Sequence, residues 1–133
     1  MKRMMLGFSL LALAALPQRV LAHGYPEETL PAAHQFATAV EHFHHVIEHV
    51  TGFSHLAADV HKLADSARHF QRAVQGGASY EHARRDFAKI HQAYHHALEA
   101  VKHAHGAHHN PHVMRDWTEV EYAFEDLDWS LGG

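Results

Sequence analysis

Apolar residues return along the chain at alternating steps of four and three, in four separate runs. Phe36, Val40, Phe43, Ile47 and Val50 share one helical face, and Thr51-Gly52 ends that run. Leu56, Val60, Leu63, Ala67, Phe70 and Val74 resume the alternation in a shifted register, so Gly52 marks a turn and Ser54 is placed to cap the restart. Gly76-Gly77 closes the second run, since glycine suits the left-handed position that follows a helix. Ser79 caps a third run, from Tyr80 and Ala83 through Phe87, Ile90, Tyr94 and Ala97 to Val101 and Ala104, which Gly106 stops. Asn110-Pro111 joins a capping side chain to proline at the first helical position, and it opens a fourth stripe of Val113, Trp117, Val120, Phe124, Leu127 and Leu131. Short connections between narrow amphipathic stripes predict an all-α fold, an antiparallel up-down-up-down four-helix bundle over residues 23–133.

The start of the chain reads differently. Met1-Lys2-Arg3 is a basic opening, Met4 to Leu16 an apolar run of thirteen residues, and Val20-Leu21-Ala22 a small-residue cleavage site, so residues 1–22 are expected to be a cleaved signal peptide. The run is too short to span a bilayer and leaves no stable membrane anchor after cleavage. Removal leaves 8 basic and 15 acidic residues, a charge of −7, in a periplasmic or secreted product. From His23 to Leu30 the chain is polar, carries Pro26 and runs up to Pro31, and reads as an arm before the first helix.

Composition shifts attention from fold to chemistry. The 133 residues hold 18 histidines, more than Asp and Glu together, and no cysteine. Disulfides, thiolate zinc sites, iron–sulfur clusters and covalent haem attachment are thereby excluded. An acidic chain with scattered Lys and Arg does not present a nucleic-acid surface. No His-Glu-x-x-His or Gly-x-Ser-x-Gly occurs, and Glu41 to His44 is the single Glu-x-x-His where a di-metal oxidase needs two, so an enzyme is not expected.

The segment Leu56 to Leu131, with its Gly-Gly turn and its His112-Val113-Met114-Arg115-Asp116-Trp117 tail, resembles small, exported, histidine-rich bacterial helical-bundle proteins that have no established activity. The resemblance implies the bundle and carries no chemistry.

The histidines lie beside or opposite the core stripes. His42, His45 and His49 share the outer face of the first helix; His61, Asp65 and His69 form a ladder on the second; His91, His95, Glu99 and His103 form one on the third. Residues four apart project from one face, close enough for two imidazoles to hold one ion, although such ladders also solvate helix surfaces. The densest group, His103, His105, His108, His109 and His112, surrounds the third turn, and an up-down topology brings His49 and His55 to the same end. That pole is the expected metal site. His34, His69 and His82 read as dispersed near the other end. His23, once exposed as a new N-terminus, could chelate through its amino group and ring.

Imidazole with carboxylate suits Cu²⁺, Zn²⁺ and Ni²⁺, and the single methionine beyond the leader, Met114, argues against a cuprous carrier. The expected function is a metal buffer, carrier or resistance factor whose partners are metal ions, with a homodimer left open. Two alternatives stand beside it. One is a pH-responsive envelope module, since imidazoles titrate near pH ~6.5. The other is a haem or di-metal four-helix enzyme, the haem held by His44 and His91, or by Met114, at the margin of the core.

Overall fold

The computed structural model describes residues 25–50, 52–104 and 106–132. The leader reading, His23 and His105 lie outside those residues, as does the side chain of His108. Four helices make up the fold: α1 (Thr29–Glu48), α2 (Ser54–Gln75), α3 (Tyr80–His103) and α4 (Pro111–Ser130), with a 3₁₀ turn at Ala107–His109 before α4. No strand occurs among the described residues, and none of the helices is long and apolar enough to cross a membrane.

The helix ends follow local chemistry. Ser79 Oγ accepts the His82 N–H at 3.1 Å, and Asn110 Oδ1 accepts those of His112 and Val113 at 3.1 and 3.2 Å. After α2, Gly77 sits at φ 87°, Ala78 N–H reaches Ala73 C=O at 2.9 Å and Gly77 N–H reaches Val74 C=O at 3.1 Å, which together complete a Schellman cap. Two expectations are corrected. Ser54 does not cap α2: it is the first helical residue, and Phe53 at the capping position provides no side-chain bond. The polar arm is also shorter than it reads, because α1 takes in Thr29 and Leu30, and Pro31 fits the first turn, where no N–H is needed. Tyr25, read as part of that arm, is fully buried and donates its hydroxyl to Val74 C=O at 2.9 Å.

The four stripes meet in one core. Phe36, Phe43, Phe70, Ile90, Leu127 and Trp117 are essentially inaccessible, and each buried side chain of this size contributes roughly 1.5–3 kcal/mol. Packing is not uniform around the ring of helices. α1 lies close against α2 and α4, and α2 close against α3, whereas no Cα of α3 comes within 8 Å of one in α4. That wider seam is filled by aromatic rings. Tyr94 stacks on Phe124 with centroids 3.9 Å apart, Phe87 on Phe124 at 5.8 Å and Tyr94 on Trp117 at 5.6 Å.

Candidate metal centre

Two aspartates are buried in a fold that otherwise keeps its carboxylates near solvent: Asp86 in the second turn of α3 and Asp116 in the second turn of α4, 6% and 5% exposed. A buried carboxylate is costly unless something compensates its charge. At Asp86 two histidines converge. His82, one helical turn earlier on α3, places Nε2 at 3.1 Å from Oδ2, and His69 reaches across from α2 to place Nε2 at 3.3 Å from the same oxygen. Neither approach has hydrogen-bonding geometry, so this buried oxygen has no hydrogen-bond partner.

The three donor atoms lie within 4.8 Å of one another. A tetrahedral Zn²⁺ with ligands at about 2.0–2.1 Å spaces them about 3.3 Å apart, so both Nε2···Oδ2 separations already match an edge of that tetrahedron. The rings are 59% and 48% exposed, which leaves the fourth position facing water. Arg72 and Lys89 line the same groove, of about 380 Å³, and their positive charge opposes a cation there. Two neutral imidazoles and one carboxylate could hold a divalent borderline ion; among the described residues this is the one group of three converged donors.

The residues singled out by sequence fall into smaller groups. The rings of His45 and His49 lie 4.7 Å apart between centroids, tilted at 60°, and His49 Nδ1 donates to the His45 carbonyl at 2.8 Å, which leaves Nε2 as the ring's lone-pair nitrogen. His91 and His95 lie 4.6 Å apart between centroids, with His91 also against Phe87 and Phe124. His55 and His103 line one cleft with Gly52 and Ala104. His103 also pairs with Glu99 at 3.4 Å. His109 and His112 are exposed beside that turn. No three of these residues converge as His69, His82 and Asp86 do.

Sequence reasoning set His69 and His82 aside as dispersed and did not single out Asp86. A signal was there: an Asp directly before Phe87, in a position the core stripe forces inward, with a histidine one turn earlier. The cross-helix partner His69 had no such signature. No family model, curated protein or solved structure matches the chain.

Proposed function

We propose that the chain is an exported protein that binds divalent transition metal, Zn²⁺, Cu²⁺ or Ni²⁺, as a buffer or carrier. Its helices would form an antiparallel up-down-up-down bundle. Three end-to-end contacts support that arrangement: Tyr25 to Val74, Thr29 Oγ1 to Ser130 C=O and Tyr80 hydroxyl to Leu131 C=O. The observation that carries the function is the convergence of His69, His82 and buried Asp86 from two helices. The adjacent pairs His45–His49 and His91–His95 and the His55–His103 cleft would add weaker, more exposed binding around it.

Calorimetric titration of the purified chain with Zn²⁺ at pH 7.5 and 5.5 tests this reading. Binding should be tight at the higher pH and mostly lost at the lower, because protons compete for the ring nitrogens. H69Q/H82Q should weaken the tightest phase at least tenfold. Unchanged binding in that variant would remove the proposed centre.

A second reading, a pH-responsive surface, is favoured by the histidine–carboxylate pairs His44–Glu48 at 3.1 Å and His61–Asp65 at 3.3 Å. It requires the metal-free chain to change its assembly or its binding to acidic surfaces between the same two pH values, which sedimentation and vesicle binding would measure.

A further inference from the structure

The Asp86 groove has a counterpart. His82-Ala83-Arg84-Arg85-Asp86-Phe87, at the start of α3, returns thirty residues later as His112-Val113-Met114-Arg115-Asp116-Trp117 at the start of α4. The same offset carries Ile90 onto Val120, Tyr94 onto Phe124 and Val101 onto Leu131, all buried. α1 and α2 match at an offset of 27, with His34, Ala37, His42 and Phe43 repeated as His61, Ala64, His69 and Phe70.

The packing follows the same exchange of α1 with α2 and of α3 with α4. Phe43 meets Trp117 at 5.4 Å and 52°, and their counterparts Phe70 and Phe87 meet at 6.1 Å and 60°. Tyr94 stacks on Trp117 at 5.6 Å and 13°, while Phe124 stacks on Phe87 at 5.8 Å and 18°. Tyr94–Phe124, at 3.9 Å and 1°, and Arg68–Glu41, at 2.9 Å, each join two equivalent positions, so both pairs lie where an approximate twofold axis would pass. The exchange maps His69, His82 and Asp86 onto His42, His112 and Asp116. His42 Nε2 already lies 3.5 Å from Asp116 Oδ2, and the groove there, about 400 Å³, is the counterpart of the one at Asp86.

We propose that the α1–α4 groove is a second divalent-metal site, with His42, His112 and Asp116 as its ligands; the proposal rests on the reading of the Asp86 groove as a metal site. His112 precedes Asp116 by one turn, as His82 precedes Asp86, so a side-chain rotation brings its ring to the shared face. Arg115 Nε lies against Oδ1 of Asp116 at 3.4 Å and leaves Oδ2 to the ion. Glu119 occupies the place that Lys89 holds in the other groove, exchanging a cation for a fourth donor, a second carboxylate. Two imidazoles with carboxylate select Zn²⁺, Cu²⁺ or Ni²⁺.

Zn²⁺ titrated into the purified chain against a competing chelator, with the histidine ring signals followed by NMR, tests the pair of sites. Two tight equivalents should bind, and the rings of His42 and His112 should shift together within those equivalents. H42Q/H112Q should lose one equivalent and keep the shifts of His69 and His82, and H69Q/H82Q should do the reverse. All four rings are exposed, so glutamine leaves the core intact, and circular dichroism verifies it. If the His42 and His112 rings do not shift in the unaltered chain, or H42Q/H112Q keeps both equivalents, the second site is overturned while loss in H69Q/H82Q leaves the first standing. If H69Q/H82Q keeps both equivalents and H42Q/H112Q loses one, the reading of the Asp86 groove fails instead.

Discussion

The grooves at Asp86 and Asp116 are built on the same plan and differ in what surrounds the carboxylate. At Asp86, two rings already converge within 4.8 Å, but Arg72 and Lys89 line the walls. At Asp116, His42 is the one ring in place, at 3.5 Å from Oδ2, Arg115 lies on Oδ1 at 3.4 Å, and Glu119 lines the wall where Lys89 stands in the other groove. One groove is better arranged and the other better charged. Histidine count and donor convergence therefore need not coincide. The turn between α3 and α4 has more imidazoles in sequence than either groove, yet among the described residues no group of three donors converges there around a buried carboxylate, which would fix an ion's position and supply negative charge at low dielectric.

The widest test of this equivalence is in the core behind each groove. Phe43 packs on Trp117 behind Asp116, and Phe70 packs on Phe87 behind Asp86, both fully buried. Phe43→Ala and Phe70→Ala should each cost about 3–5 kcal/mol, the range for emptying a buried aromatic site. Chemical denaturation of the metal-free protein should place the two within about 1 kcal/mol of each other. A much larger gap would mean that the repeat is in sequence and contact but not in energy.

Removing the carboxylates should act mainly on the ion. Asp86 Oδ2 has no hydrogen bond to lose, so Asp86→Asn should change metal-free stability by less than about 1 kcal/mol. Zn²⁺ affinity in that groove should fall roughly tenfold to a hundredfold, since the ion loses a charged ligand. Asp116→Asn should lower Zn²⁺ affinity likewise in its own groove and leave the other unaffected, with an added small cost to metal-free stability because Asp116 Oδ1 accepts from Arg115 Nε at 3.4 Å. Equal losses in both grooves from either variant would show one shared site.

A smaller effect separates arrangement from charge. Lys89→Glu gives the Asp86 groove the wall that Glu119 provides opposite, and it should tighten Zn²⁺ there about tenfold; Glu119→Lys should weaken the other by a similar factor. Both shifts should shrink in 1 M salt, where exposed charges are screened. If Lys89→Glu has no effect at low salt, the converged rings alone set affinity.

The helices were legible because each stripe repeats through at least four turns and each start and stop has its own chemistry: Ser79, Asn110-Pro111 and Gly77 act as read. Ser54 failed as a cap because Phe53 is drawn into the core and takes the capping position. The candidate centre was not legible. Its defining contact joins His69 to Asp86 across two helices, and no local spacing fixes how far one helix is rotated against another. The repeated His-x-x-Arg-Asp-aromatic motif was readable, but it stands out only when α3 is laid on α4.

The finest comparison lies where the axis passes. Tyr94 and Phe124 stack as equivalents and differ by one hydroxyl, so Tyr94→Phe makes the pair identical. Burial, reinforced by Glu121 and Glu125, pushes the Tyr94 phenol up to about 12 from its ordinary 10. The fold therefore favours the neutral phenol, and this contribution is complete below pH 10 and is lost as pH rises through about 12. Denaturation between pH 10 and 12 should show the unaltered chain losing more stability than Tyr94→Phe, with tyrosinate absorbance rising over the same interval. At pH 7.5 the two should agree within about 1 kcal/mol. Zn²⁺ binding in both grooves should also be unchanged, because the hydroxyl belongs to neither ligand set. If it shifted in both, the stacked pair would be coupling the two halves across the axis, and they could no longer be treated as independent sites.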